Sequence, residues 1–174
     1  MADKTKIVKG GPVTVTINST DLSLTNTIVG HNEDGATITF KYGYKEIKTH
    51  NSGDTAIASV CNGLLVTFEM KACEFDIADV RKLAFPFASP TSTTFTQALS
   101  NVIGKVCKVL NTVRVHLDAD GSAETHDWLL NSLELKPDTI KIVSKIGEKW
   151  VVDIKGECLY LDTTDSFTYG VTVP

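Results

Sequence analysis

Residue types that do chemistry are all present in this sequence, but their spacing is not that of a reaction site. Histidine stands at 31, 50, 116 and 126, and none lies in an HExxH pattern that would bring two imidazoles onto one metal. Asp118-x-Asp120-Gly121 has the opening of a calcium loop, yet it lacks both the third oxygen ligand before the glycine and the bidentate Glu that closes the loop. It reads as an ordinary turn. Gly104-Lys105 lacks the upstream glycines and the hydroxyl residue of a phosphate-binding loop. No GxSxG marks a serine nucleophile. Ser, His and Asp occur, but only geometry defines a triad. The four cysteines, 61, 73, 107 and 158, include no CxxC. They read as free, mostly half-buried thiols, with Cys61–Cys73 the one pairing worth testing across an unequal Asn62-Gly63 turn. The expectation is a protein without catalytic, cofactor-binding or metal-ligating residues, and so not an enzyme.

The bulk properties narrow the class further. At 174 residues one core remains efficient, so a single domain is expected over residues 1–174. The charge balance is mild, 17 Lys plus Arg against 21 Asp plus Glu for a net charge of −4. That argues against a reader that grips phosphates, which needs a basic face, but permits a surface that nucleic acid slides past. No run of about 18 apolar residues exists, so no membrane span is expected. The opening Met-Ala-Asp-Lys-Thr-Lys has no apolar segment behind it, and no secretory signal is expected.

The elements that would carry any function are strands. Residues 1–11 are polar, end in Gly-Gly and read as a flexible N-terminal arm. Val13, Val15 and Ile17 alternate with Thr14, Thr16 and Asn18, a short strand. Residues 19–30, rich in Ser, Thr and Asn, read as an irregular edge strand, and Asn32-Glu33-Asp34-Gly35 as a turn. Then comes the stretch on which the rest is organised. Residues 38–42 and 44–50 are strand-like and lead to a polar tip, Asn51-Ser52-Gly53-Asp54. A third run, 55–61, is broken at Asn62-Gly63. In the fourth, Leu64, Val66, Phe68, Met70 and Ala72 alternate with Leu65, Thr67, Glu69, Lys71 and Cys73, giving one apolar and one largely polar face. The period then changes: Phe75, Ile77, Val80, Leu83 and Ala84 fall on one side of a short helix, capped by Asp76 and stopped by Pro86.

Beyond it, residues 88–96 form a Ser/Thr-rich surface loop. Leu99, Val102, Ile103 and Val106 have a spacing that allows a brief helix before a strand over 105–117. Strands are expected over 128–135, 140–146, 149–161 and 167–173, with turns at 118–121, 137–138 and 147–148. Many short strands with turn signals and one helix predict a mainly β fold, an antiparallel β-sandwich or barrel with one short flanking α-helix and a long β-hairpin. The hairpin is long for a small sandwich, a shape suited to gripping a neighbour. The polar face around Thr67, Glu69 and Lys71 has two readings: a solvated outer face, or the lining of a wide barrel built from several subunits.

The order of these pieces resembles the tail tube (major tail) proteins of tailed bacteriophages. The resemblance spans about residues 10–173 and is one of pattern. It comprises the hairpin over 41–60 with its Gly53-Asp54 tip, the amphipathic strand over 64–73, the helix over 76–84 and the Thr-rich loop over 91–96. It continues with Val113-Arg114-Val115-His116-Leu117 leading to Asp127, and with Trp150-Val151-Val152-Asp153-Ile154-Lys155-Gly156-Glu157-Cys158-Leu159 before a closing strand. The resemblance implies a virion structural subunit, assembled in the host cytoplasm into hexameric rings that stack into a tube. Through that tube DNA passes without specific binding. It further implies sheath, terminator, tape-measure and baseplate proteins as partners, and no membrane or cofactor. On this reading Thr67, Glu69 and Lys71 face the lumen, while Asn51, Ser52, Gly53, Asp54, Lys4 and Lys6 make contacts between subunits and rings. A tail terminator or a tube-initiating hub ring is the alternative. A monomeric carbohydrate-binding sandwich is a third reading; it would want aromatic platforms from a chain that is 7% aromatic.

Overall fold

The computed structural model describes residues 12–29, 32–48, 56–72, 78–90, 95–98, 100, 102–118, 121, 126–136, 140–141, 151–159 and 167–170. In chain order the elements are β1 (Val13–Ser19), β2 (Leu24–Val29), β3 (Asn32–Ile47), β4 (Ala58–Ala72), α1 (Ala78–Ala84), β5 (Ser89–Pro90), β6 (Phe95–Thr96), β7 (Val109–Leu117), β8 (Trp128–Leu135), β9 (Ile140–Lys141), β10 (Val151–Cys158) and β11 (Phe167–Tyr169). Nine strands form one sheet in the order β2-β1-β7-β8-β10-β4-β3, with β11 alongside β8 and β9 alongside β10. Every pairing is antiparallel. The fold is the mainly β sandwich or barrel with a short helix that the pattern predicts.

Alternation builds the core. Val66, Phe68, Met70 and Ala72 of β4 are buried, as are Val15 and Ile17 of β1 and Val152 and Ile154 of β10. In α1, Val80, Leu83 and Ala84 face inward, Asp79 sits in the first turn, and Lys82 reaches back to it at 3.0 Å. The Phe85 amide makes the last helical bond, to Arg81, and Pro86 then ends the run. Asp76, the expected cap, lies outside the described residues.

A strict period of two would not bury both Leu130 and Leu133, yet neither is exposed at all. Ser132 resolves this with φ 52°, a left-handed residue that resets the alternation. At the same point β8 changes its neighbour. Residues 128–130 pair with β11, whereas 133–135 pair with β10. The Leu159 amide donates to the Ser132 carbonyl at 2.9 Å at this junction. The sheet folds back here, so that Phe40 of β3 meets Trp128 at 5.3 Å and Phe167 at 4.8 Å between ring centroids. These rings fill one end of the sandwich.

Three expectations need correction. Asn62-Gly63 does not break a strand: β4 runs through it as a bulge, Gly43 pairing with Gly63 and Tyr44 with Cys61, so that Asn62 is the extra residue. Asn32–Gly35 is likewise not a free turn; β3 begins at Asn32 and absorbs an irregularity before Ala36, where Gly35 has φ 75°. The helical spacing at 99–106 gives no α-helix among the described residues: Ser100 lies in a 3₁₀ turn, and helical structure does not continue through 102–106. Residues 102–104 make a turn with Gly104 at φ 72°, and Ile103 and Val106 are 70% and 83% exposed. No packed surface rewards the helical period there. The β7 strand accordingly starts at Val109, later than the expected 105.

At Gly156 there is no room for a side chain. A Cβ there would stand 2.5 Å from Leu133 Cδ2 and 2.9 Å from the Glu134 carbonyl oxygen. Gly156→Ala is therefore expected to destabilise the fold by about 1–3 kcal/mol, measured by denaturant unfolding. Leu133→Val should recover only part of the loss, because it removes the nearest atom, Cδ2, but keeps a γ-carbon and leaves the Glu134 carbonyl oxygen in place.

Candidate assembly interface

The β3–β4 hairpin has two parts. From residue 67 to 72, β4 is flanked by β10 on one side and β3 on the other. Beyond Val66 the pairing continues from Lys41↔Leu65 to Ile47↔Ala58 with no third strand described beside it. This outer part is a two-stranded arm, a form marginal in water by itself. It is also unusually apolar for an exposed element. Tyr42, Tyr44, Ile47, Ile57, Val60, Leu64 and Leu65 are all exposed, Tyr44 at 66% and Ile57 at 58%. Opposed pairs share a face, so Tyr42↔Leu64 and Tyr44↔Cys61 continue the face that Phe40↔Val66 and Ile38↔Phe68 present to the core. The apolar side of the sandwich thus runs out along the arm into solvent. Leu64 is on the face its alternation assigns, but outside the core.

The polar side is equally well defined. Glu69 and Lys71 are exposed and Thr67 is half-buried. Thr67 stands between Thr39 and Glu157, Glu69 between Thr37 and Lys155, and Lys71 beside Asp153. Lys155 Nζ lies 3.9 Å from Glu69. Glu157 stands opposite Glu134, and Lys136 bridges both carboxylates. Across these strands four carboxylates (69, 134, 153, 157) meet three ammonium groups (71, 136, 155). Acid and base are intermixed, with Lys136 between the two facing carboxylates, so these strands offer phosphate no basic track.

The structure places Thr67, Glu69 and Lys71 together, as the alternation predicts. Asn51, Ser52, Gly53, Asp54, Lys4 and Lys6 lie outside the described residues, as does the 1–11 arm. Of the cysteines, Cys61 is exposed and free, so it forms no bridge to Cys73, which is not described. Cys107 and Cys158 are free and partly buried, and burial pushes the Cys158 thiol up to about 11.

One charged cluster escaped the sequence reading. Asp127 is fully buried. Its Oδ2 accepts from Arg114, with Nε at 2.6 Å and the terminal nitrogen at 2.5 Å. Its Oδ1 lies 2.6 Å from His116 Nδ1, and the other imidazole nitrogen lies 2.8 Å from the Gly121 carbonyl oxygen. Both ring nitrogens face acceptors, so the ring fits best when both carry a proton. The hydrogen bond to Asp127, with help from the Gly121 carbonyl, holds the His116 pKa above 6.5 against burial and Arg114, which act to lower it. In this state the imidazole has no lone pair for general-base chemistry. It ties the start of β8 and the 118–121 turn to β7, while Thr14 Oγ1 donates to Asp118 at 2.7 Å from β1. The signal was the register: Val115↔Trp128 puts His116 opposite Asp127.

Among the described residues no group of His, Cys, Asp and Glu could hold a metal, and no helix is long and apolar enough to cross a membrane. No protein-family model matches the chain, and a search of curated proteins finds no match.

The cluster makes stability pH-dependent. Because the folded-state pKa is raised, the His116 contribution is fully present below 6.5 and is lost as pH rises through the folded value. NMR titration of the imidazole should give a midpoint above 6.5 that falls in Asp127→Asn. The same variant should lose about 3–5 kcal/mol, as expected for breaking a buried ion pair.

Proposed function

We propose that this chain is the structural subunit of a bacteriophage tail tube, forming stacked hexameric rings whose lumen conducts the genome. The observation that carries the reading is the arm, a two-stranded apolar ribbon continuous with the core face and exposed in the isolated chain. Such a surface marks an interface. The occupant favoured by charge is a second copy. Residues 41–65 carry Lys41, Lys45 and Lys48 against Glu46 and Asp54, a positive arm on a chain of net charge −4. An arm of one sign reaching a body of the other is a heterologous contact, and such contacts close into rings or extend into filaments.

The sheet ends support the same reading. Both terminal strands, β2 and β3, have one edge without a described partner strand. Pairing between copies removes such edges. With the apolar faces turned to the core and to neighbours, the charge-compensated face around Thr67, Glu69 and Lys71 is the one suited to line a passage for DNA.

A tail terminator or hub ring would use the same surfaces but stop at one ring. The carbohydrate-binding reading has less support. Trp128, Phe167 and Tyr169 are tilted against one another by 38° and 43°, and half-buried Trp128 packs on Phe40. They serve the core more than they offer a flat platform.

Negative-stain microscopy and sedimentation of the purified chain should reveal rings or tubes. A monomer that persists at high concentration with a well-ordered arm would sink the proposal; single rings that never stack would favour the terminator. Replacing Tyr44 and Ile57 with Ser should leave the monomer folded and abolish assembly, at about 1.5–3 kcal/mol of lost burial per side chain.

A further inference from the structure

The arm holds the chain's one Asn-Gly pair, Asn62-Gly63, and holds it in a particular way. Asn62 is the bulge residue, outside the paired positions of the ladder and exposed. Its side-chain amide lies over Gly43, with Oδ1 2.6 Å from where a Cβ on that glycine would stand. Around Gly63 the opposite holds: apart from its two chain neighbours, no heavy atom lies within 4 Å of its would-be Cβ. Glycine at 63 thus sets no side chain beside the backbone nitrogen that follows Asn62, and no other part of the chain reaches the place a side chain there would take.

We propose that Asn62 is a site of spontaneous amide loss, an age mark on the unassembled subunit. The Gly63 nitrogen releases its proton to solvent base and attacks Asn62 Cγ, closing a five-membered succinimide. The new N–Cγ bond replaces the Cγ–Nδ2 bond, and the amide nitrogen leaves as ammonia with a proton from solvent. One water then opens the ring at either carbonyl, giving aspartate or isoaspartate. One water is consumed, one ammonia is released, and nothing is oxidised or reduced. The consequence, which rests on the proposed assembly role, follows from position. A carboxylate at 62 cancels the positive excess of residues 41–65. An isoaspartate also adds a backbone atom to a strand whose two faces depend on a period of two. Burial between copies would protect the site, so modification would accumulate on subunits that fail to assemble.

The chemistry and the consequence are tested separately. The full-length free chain is incubated at mildly alkaline pH and followed by peptide mapping with isoaspartate detection and ammonia release. Asn62 should convert on the order of tenfold faster than Asn18, Asn111 or Asn131, because only glycine leaves the attacking nitrogen unhindered. Gly63→Ala, which the open space accommodates without a left-handed φ, should remove most of that difference. Equal conversion at all asparagines, or an unchanged rate in Gly63→Ala, overturns the proposal. Asn62→Asp should fail to form rings under conditions where the parent chain does; normal assembly of that variant overturns the consequence. Conversion at Asn62 in a chain that never assembles upholds the chemistry and counts against the tube reading alone.

Discussion

A β-ribbon two strands wide buries neither of its faces, and that constraint governs the reading of this molecule. From Ala72 back to Thr67, β4 has neighbours on both sides, and its alternating side chains divide cleanly between core and solvent. Past that point the same alternation continues without support, and Tyr42, Tyr44 and Leu64 carry the core's apolar face into water. Burial of large side chains is the main favourable term in folding and in most association. An element that withholds this many of them from the chain's own core has its free energy to gain from another surface.

The remainder of the sheet stays together through departures from regularity at chosen places. Left-handed Ser132 lets β8 bury leucines three apart and pass from one neighbour to the next. Gly156 lets β10 lie against the Leu133 side chain, and Gly43 lets the Asn62 bulge sit flat on the arm. On the short edge strand β2, Asn26 has φ 45°, and its amide bonds to the Asn18 side chain, which in turn donates to Thr112 at 3.0 Å. Each irregularity adds a local bend to the twist that strands already have, which helps one sheet enclose a core.

Charge is handled differently on the surface and inside. The wet face of β4, β10 and the end of β8 intermixes acid and base across strands, an arrangement with little net field and little stabilising value per pair in solvent. Asp127 is the opposite case, a fully buried carboxylate whose two oxygens are both engaged. Its worth lies in fixing the β7–β8 connection, since a buried charge is tolerated only in one geometry. The first arrangement suits the proposed passage for DNA, and the second stiffens the subunit.

The period-two run from Leu64 to Ala72, the short amphipathic helix ending at Pro86 and the strand over 128–135 were legible from local pattern. Alternation and proline act within a few residues and need no knowledge of neighbours. The mainly antiparallel architecture follows from the same signals. What the pattern could not supply was register and company. Asn62-Gly63 has turn chemistry, and only the partner strand turned it into a bulge; the helical spacing near Ile103 found nothing to pack on. His116 and Asp127 are eleven positions apart, and only the β7–β8 register sets them face to face. That Tyr44 is exposed while Phe68 is buried depends on where β10 ends, a fact of tertiary structure that no window of sequence contains.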